Sequence, residues 1–134
     1  MSIHKKILLV DDDSDDQLFF IDAIKELEPS LECGIANNGV EALDLLKKVP
    51  PPPSLIFLDL NMPLMNGFEC LAKLKEIKQY KEIPVIIFTT SNHPVDVERT
   101  ISMGAKMFLT KPPDFEVLKE KLDDILKTDF EMPQ

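Results

Sequence analysis

Five short aliphatic or β-branched runs, Ile7–Val10, Leu31–Ile35, Leu55–Leu58, Val85–Phe88 and Met107–Leu109, are each followed by a segment with helical spacing of apolar residues. That alternation constrains the fold more than any other feature of the chain. Strands joined through helices form parallel pairs with right-handed crossovers, so the pattern predicts an α/β sandwich, a parallel sheet covered on both faces. A length of 134 residues fits one domain, and 44% hydrophobic with 29% charged residues is the balance of a chain that buries a core.

Local signals place the helices. The first begins near Ser14 or Asp15, carries Phe20, Ile21, Ile24 and Leu27 on one face, and ends at Pro29. Asn38-Gly39 reads as a turn, followed by a second helix marked by Val40, Leu43 and Leu46 and stopped by the loop Pro50 to Pro53. A third helix opens near Asn66 with Cys70, Leu74 and Ile77, and Pro84 marks the entry of the fourth strand. Pro94 suits the first turn of a fourth helix holding Val97 and Ile101, with Gly104 as its C-terminal cap. The last helix starts at Pro113-Asp114 and places Phe115, Leu118, Leu122 and Ile125 on one face, leaving a short tail beyond Lys127.

Charge and composition remove several classes of function. Fifteen Lys and Arg against 24 Asp and Glu give a net charge of -9, which opposes binding to nucleic-acid phosphates or anionic lipid. No apolar run approaches the roughly 20 residues of a membrane helix, and no signal-peptide core follows Met1 to Lys6, so a cytoplasmic protein is expected. Cys33 and Cys70 lack metal-ligand spacing and are expected to be reduced and packed. His4 and His93 lack such spacing too and read as surface residues. Met62 and Met65 read as packing residues around the loop that follows the third strand.

In open α/β sheets ligands bind beyond the carboxyl ends of the strands, so the residues directly after each apolar run carry the information. The first strand ends in Asp11, Asp12 and Asp13, the third in Asp59, the fourth in Thr89 and Thr90, and the fifth in Thr110 and Lys111. Each has an ordinary reading alone. The aspartate run would cap a helix, Thr89 would be a strand residue and Lys111 a solvated lysine. Asp59 is harder to explain that way, because it follows Leu55–Leu58, which has the look of a buried strand.

Aspartyl phosphate chemistry with a bound divalent cation uses all of them. Mg²⁺ takes one or two carboxylates with waters and phosphate oxygens; Asp12 and Asp59 supply carboxylates, Asp11 holds a coordinated water, and a backbone carbonyl beyond Asp59 completes the set. A carboxylate then attacks a phosphorus whose charge is offset by the metal and the Lys111 ammonium, with Thr89 donating to a phosphoryl oxygen.

The strings Leu8-Leu9-Val10-Asp11-Asp12-Asp13, Leu58-Asp59-Leu60-Asn61-Met62-Pro63 with Asn66-Gly67, Phe88-Thr89-Thr90 and Leu109-Thr110-Lys111-Pro112 together resemble the receiver domain of two-component response regulators. The resemblance runs over residues 5–127, is similar to stand-alone chemotaxis-type receivers, and leaves 128–134 as a tail with no effector domain. It implies a flavodoxin-like five-stranded sheet of order 2-1-3-4-5 with five helices. It also implies that Asp59 is the phosphoacceptor, that Asp11, Asp12, Asp59 and the Asn61 carbonyl form the metal site, and that Lys111 contacts the phosphoryl group. Thr89 and Phe108 match the two switch positions; Phe108 stands where many relatives carry Tyr, so no phenolic hydroxyl signals there. Asn61 and Ser91 match positions that tune phosphoryl lifetime. The acidic residues Asp15 and Asp16 read as a solvated, helix-favouring face.

Two functions follow. In the first, a histidine kinase or histidine phosphotransfer protein donates a phosphoryl group to Asp59, and output is contact with a downstream protein, with the fourth helix and fifth strand as readout face and a homodimer as a further option. In the second, the chain is a haloacid-dehalogenase-like small-molecule phosphatase using Asp59 as nucleophile. Such enzymes place an acid two residues after the nucleophile, where this chain has Asn61. A chain cut from a longer hybrid protein remains a third reading.

Overall fold

A computed structural model describes residues 4–130, which form five strands and five helices in strict alternation. The strands are β1 (Lys6–Val10), β2 (Glu32–Ala36), β3 (Leu55–Leu58), β4 (Val85–Thr89) and β5 (Met107–Thr110). The helices are α1 (Ser14–Leu27), α2 (Gly39–Lys48), α3 (Gly67–Glu76), α4 (Pro94–Ser102) and α5 (Phe115–Lys127). All strand pairs are parallel and the sheet order is β2-β1-β3-β4-β5, the order expected from the resemblance.

Residues alternate across a strand, and the sheet divides the core into two layers accordingly. Ile7 and Leu9, Leu55 and Phe57, Ile86 and Phe88, and Leu109 face α1 and α5, where they meet Phe20, Ala23, Ile24, Leu118, Leu122 and Ile125. Leu8 and Val10, Ile56 and Leu58, and Val85 and Ile87 face the other way, onto Ala42, Leu46, Cys70, Leu71 and Leu74. Phe20, Phe57 and Phe88 form the aromatic centre of the first layer, with edge-on or tilted rings 5.0 to 6.2 Å apart.

Several local expectations shift by a residue. The second strand runs over Glu32–Ala36 rather than Leu31–Ile35, because its register is set by β1, pairing Lys6 with Glu32 through Val10 with Ala36. Asp13, one residue earlier than expected, caps α1 by accepting from the Asp16 amide at 3.0 Å. Asn38-Gly39 is a helix start rather than a turn: Asn38 Oδ1 accepts from the Glu41 amide at 2.9 Å, and Gly39 is the first helical residue. Val40 and Ile101, among the apolar residues that mark the second and fourth helices, are exposed, and α2 and α4 bury Ala42 and Thr100. Asn66 opens α3 with a reciprocal capping box to Glu69, and Gly104 closes α4 with φ 106°, both as expected.

Gly67 fixes where α3 meets the sheet. A Cβ built on it would overlap the Asp59 carbonyl oxygen and lie 2.6 Å from Leu60 Cα, and backbone atoms have no room to yield. Gly67→Ala should therefore destabilise the protein by roughly 1–3 kcal/mol in chemical denaturation. Gly34→Ala serves as the comparison: its Cβ would sit 3.4 Å from a Leu8 methyl, an ordinary contact, and a loss as large as that at Gly67 would contradict the steric account.

Candidate functional site

The alternation that builds the core also aims the polar residues at the strand ends. Asp11 continues the Ile7–Leu9 series, Asp59 the Leu55–Phe57 series, and Lys111 follows Leu109 in the same parity, so all three turn toward the α1–α5 side of the sheet. Side-chain oxygens of Asp11, Asp12 and Asp59 lie within 4.8 Å of one another. Asp11 and Asp59 are buried and Asp12 is exposed. The Asp59 amide donates to the Val10 carbonyl at 2.9 Å, and its Oδ1 accepts from the Leu60 amide at 2.7 Å. Asp11 Oδ1 accepts from the Asp13 amide at 3.0 Å. The aspartate run thus divides its work, with Asp13 on the helix and the first two residues on the site.

Lys111 holds these charges together. Its Nζ lies 2.7 Å from Asp11 Oδ2, 2.7 Å from Asp16 Oδ2 and 3.3 Å from Asp59 Oδ2, and its side chain is only 9% exposed. Its own amide donates to the Thr89 carbonyl at 2.7 Å, tying the end of β5 to β4. Burial pulls the ammonium toward its neutral form, but the hydrogen bonds it donates to Asp11 and Asp16 and the field of Asp59 outweigh it and leave Lys111 above its ordinary value. Burial pushes the Asp11 carboxyl up from 3.8 to about 6, even though Lys111 and the Asp13 amide favour its ionised form.

Thr89 and Phe108 belong to the opposite layer. Thr89 is the last residue of β4, in the parity of Val85 and Ile87, and Phe108 packs half-buried against that same layer, paired with Ile87 across the ladder. Thr89 is fully buried and its Oγ1 has no hydrogen-bond partner. Asn61 is exposed, its amide 3.5 Å from Asp59 Oδ1, and it lines an open polar cleft with Asp12, Met62, Pro63 and Asn66. Asp11, Asp12, Asp59, Lys111 and Asn61 thus come together, while Thr89 ends β4 and Phe108 lies two residues before Thr110, the ladder partner of Thr89.

Asp16 corrects the sequence reading. It is half-buried and pairs with Lys111 rather than standing in solvent, while Asp15 is exposed as expected. The signal was present: Asp16 lies four and seven residues before Phe20 and Ala23, on the stripe of α1 that faces the sheet. Its position in the first turn puts that stripe level with the strand ends. Gln17 was also missed; its Nε2 donates to the Asp11 carbonyl at 2.6 Å and to Asn37 Oδ1 at 2.8 Å.

The histidines and cysteines stand apart from the carboxylate group. His93 is exposed and accepts from the Val95 amide at the start of α4, and His4 bonds Ser54. Cys70 is buried and Cys33 half-buried, and burial pushes both thiols up to about 12. Among the described residues no helix is long and apolar enough to cross a membrane.

A donor set made only of carboxylate oxygens suits a hard divalent cation rather than a soft one, and the buried Thr89 hydroxyl at the end of β4 is a donor without an acceptor. The acidic group can therefore coordinate a divalent metal, and the residues present fit one.

Comparison with known proteins agrees. The family model described as the response regulator receiver domain matches residues 7–123. A chemotaxis protein CheY homolog of Campylobacter jejuni is 38% identical over 125 residues, covering 92% of this chain and 93% of that protein. The crystal structure of the Mn²⁺-bound form of response regulator Rcp1 superposes with a TM-score of 0.82 at 32% identity, covering 97% of this chain and 99% of that one. The phosphorylated cyanobacterial phytochrome response regulator RcpA superposes with the same score at 30% identity, covering 91% of each chain. The haloacid-dehalogenase alternative gains no support from these matches, and it lacks its acid at Asn61. Strand order, the converging carboxylates and the match over most of the length make this chain a member of the response regulator receiver family.

Proposed function

We propose that the protein is the phosphoacceptor of a two-component relay, receiving on Asp59 a phosphoryl group from a phosphohistidine of a histidine kinase or histidine phosphotransfer protein. The observation that carries this reading is the placement of Asp59: at the end of a buried strand, inside the carboxylate group and 3.3 Å from the Lys111 ammonium. A carboxylate oxygen of Asp59 forms the new P–O bond as the P–N bond of the donor breaks and the imidazole leaves with the electron pair. Asp11, Asp12, Asp59 and the Asn61 carbonyl would hold Mg²⁺, which supplies charge neutralisation for the transferring group. Lys111 adds a fixed positive charge 3.3 Å from Asp59. The protein modifies itself and is not a turnover enzyme on an external substrate.

Residues 5–127 constitute the receiver and 128–134 a short tail, of which 131–134 lie outside the described residues. Signal output is by protein contact. Val95, Ile101, Met107 and Val117 are exposed on α4, β5 and α5, which gives a downstream protein target or a second copy in a homodimer apolar groups to recognise. The net charge of -9 disfavours direct binding to nucleic acid or to an anionic membrane surface, in keeping with a cytoplasmic protein.

Thr89 links the chemistry to that face. A phosphoryl oxygen on Asp59 offers the acceptor its buried hydroxyl lacks, and Phe108 lies on the same face of the sheet, one diagonal step away on the neighbouring strand.

Incubation with acetyl phosphate and Mg²⁺ should give one acid-stable, base-labile phosphoryl adduct by intact mass, absent without metal and absent in Asp59→Asn. An adduct that persists in Asp59→Asn would overturn the assignment. Thr89→Val should be neutral or stabilising by up to about 1 kcal/mol, since it removes an unpaired buried hydroxyl. The same variant should still take the phosphoryl group but lose the phosphorylation-dependent amide shifts around Phe108; retention of those shifts would remove Thr89 from the switch.

A further inference from the structure

We infer that Asp16 is a positioning residue for Lys111, giving the ammonium a carboxylate partner outside the metal group, so that it keeps one when a divalent cation and a phosphoryl oxygen engage Asp11 and Asp59. The inference rests on the receiver reading above. It starts from the division of the three Lys111 partners. Asp11 and Asp59 belong to the group of carboxylates that can share a metal ion; Asp16 does not. A cation and an ammonium competing for the same carboxylate oxygens weaken each other, so the ammonium needs an anchor outside the metal site. Asp16 Oδ2 provides one at 2.7 Å, as close as Asp11 and closer than Asp59.

The fold holds that anchor in place. Asp16 sits in the first turn of α1, and its amide is tied to the Asp13 side chain at 3.0 Å. Three residues of that turn carry no competing cation, so Lys111 is the base within reach of Asp16 there. The Phe88 ring, its centroid 5.7 Å from Nζ, adds a weak attraction that keeps the ammonium within the site. Without Asp16 the ammonium has only Asp11 and Asp59 to neutralise it and should fall back on them.

The test is a double-mutant cycle on the full chain, read as Mg²⁺ affinity by calorimetry. Asp16→Asn should weaken Mg²⁺ binding by about three- to tenfold. In a Lys111→Met background the same substitution should change affinity by no more than about twofold, the residue of a screened charge effect. An equal loss in both backgrounds would show Asp16 acting as a bulk negative charge, and no loss in either would show no role; both overturn the inference. A metal-free readout accompanies it: the ¹⁵N–¹H ammonium signal of Lys111 should shift and exchange faster with water in Asp16→Asn, and an unchanged signal would also overturn the inference. Retained amide dispersion checks that the variants fold. A wild-type protein that binds no Mg²⁺ would instead sink the receiver reading, while the ammonium signal would still decide the role of Asp16.

Discussion

One ammonium makes the end of this sheet stable. Parallel strands that finish in aspartates bring like charges together in a place where burial already disfavours them, and Asp11 is held up near 6 for that reason. Lys111, arriving from the far side on the end of β5, meets Asp11, Asp16 and Asp59 at 2.7 to 3.3 Å. Buried ion pairs stabilise poorly against an apolar alternative, yet stripping away one partner leaves uncompensated charge. The group therefore makes sense as a site retained for chemistry, one whose remaining negative charge attracts a divalent cation.

The two-layer core separates tasks by the parity of a strand. Residues of one parity place Asp11, Asp59 and Lys111 toward α1 and α5, and α1 adds Asp16 and Gln17 from that side. Residues of the other parity place Thr89 and Phe108 against the layer that holds α2 and α3. The carboxylates and Lys111 thus lie on one side of the sheet and Thr89 and Phe108 on the other, joined through the β4 and β5 backbones. Two neighbouring strands held in register by ladder hydrogen bonds transmit a displacement better than loops would.

How far the sequence could be read depended on whether a residue's role is local. Leu55–Leu58 is apolar at every position and forms the strand expected of it, and Asn66, Gly104 and Asp114 cap helices as their chemistry requires. Boundaries set by pairing were less legible: β2 moved by one residue because β1, not β2, decides which residues pair. Asn38-Gly39 has the composition of a turn, but Met65 packs where a Gly39 side chain would be and Asn38 caps a helix, neither of which is a neighbour's effect visible in the chain. Asp16 has the charge of a solvated residue, but its place on the inward stripe of α1 outranks its polarity.

The sequence by itself determined the alternation of strands and helices, the apolar runs that must be buried, and the polar residues that end those runs. These follow from periodicity and from the cost of burying unpaired charge, which act over a few residues. Only the tertiary structure decided which of six neighbouring acidic and polar residues after β1 serve the helix, the metal group or the lysine. Asp13 caps, Asp11 and Asp12 converge with Asp59, and Asp16 meets a lysine 95 residues away. That assignment depends on the direction in which each side chain leaves the backbone once strands from distant parts of the chain lie side by side, and no local rule contains it.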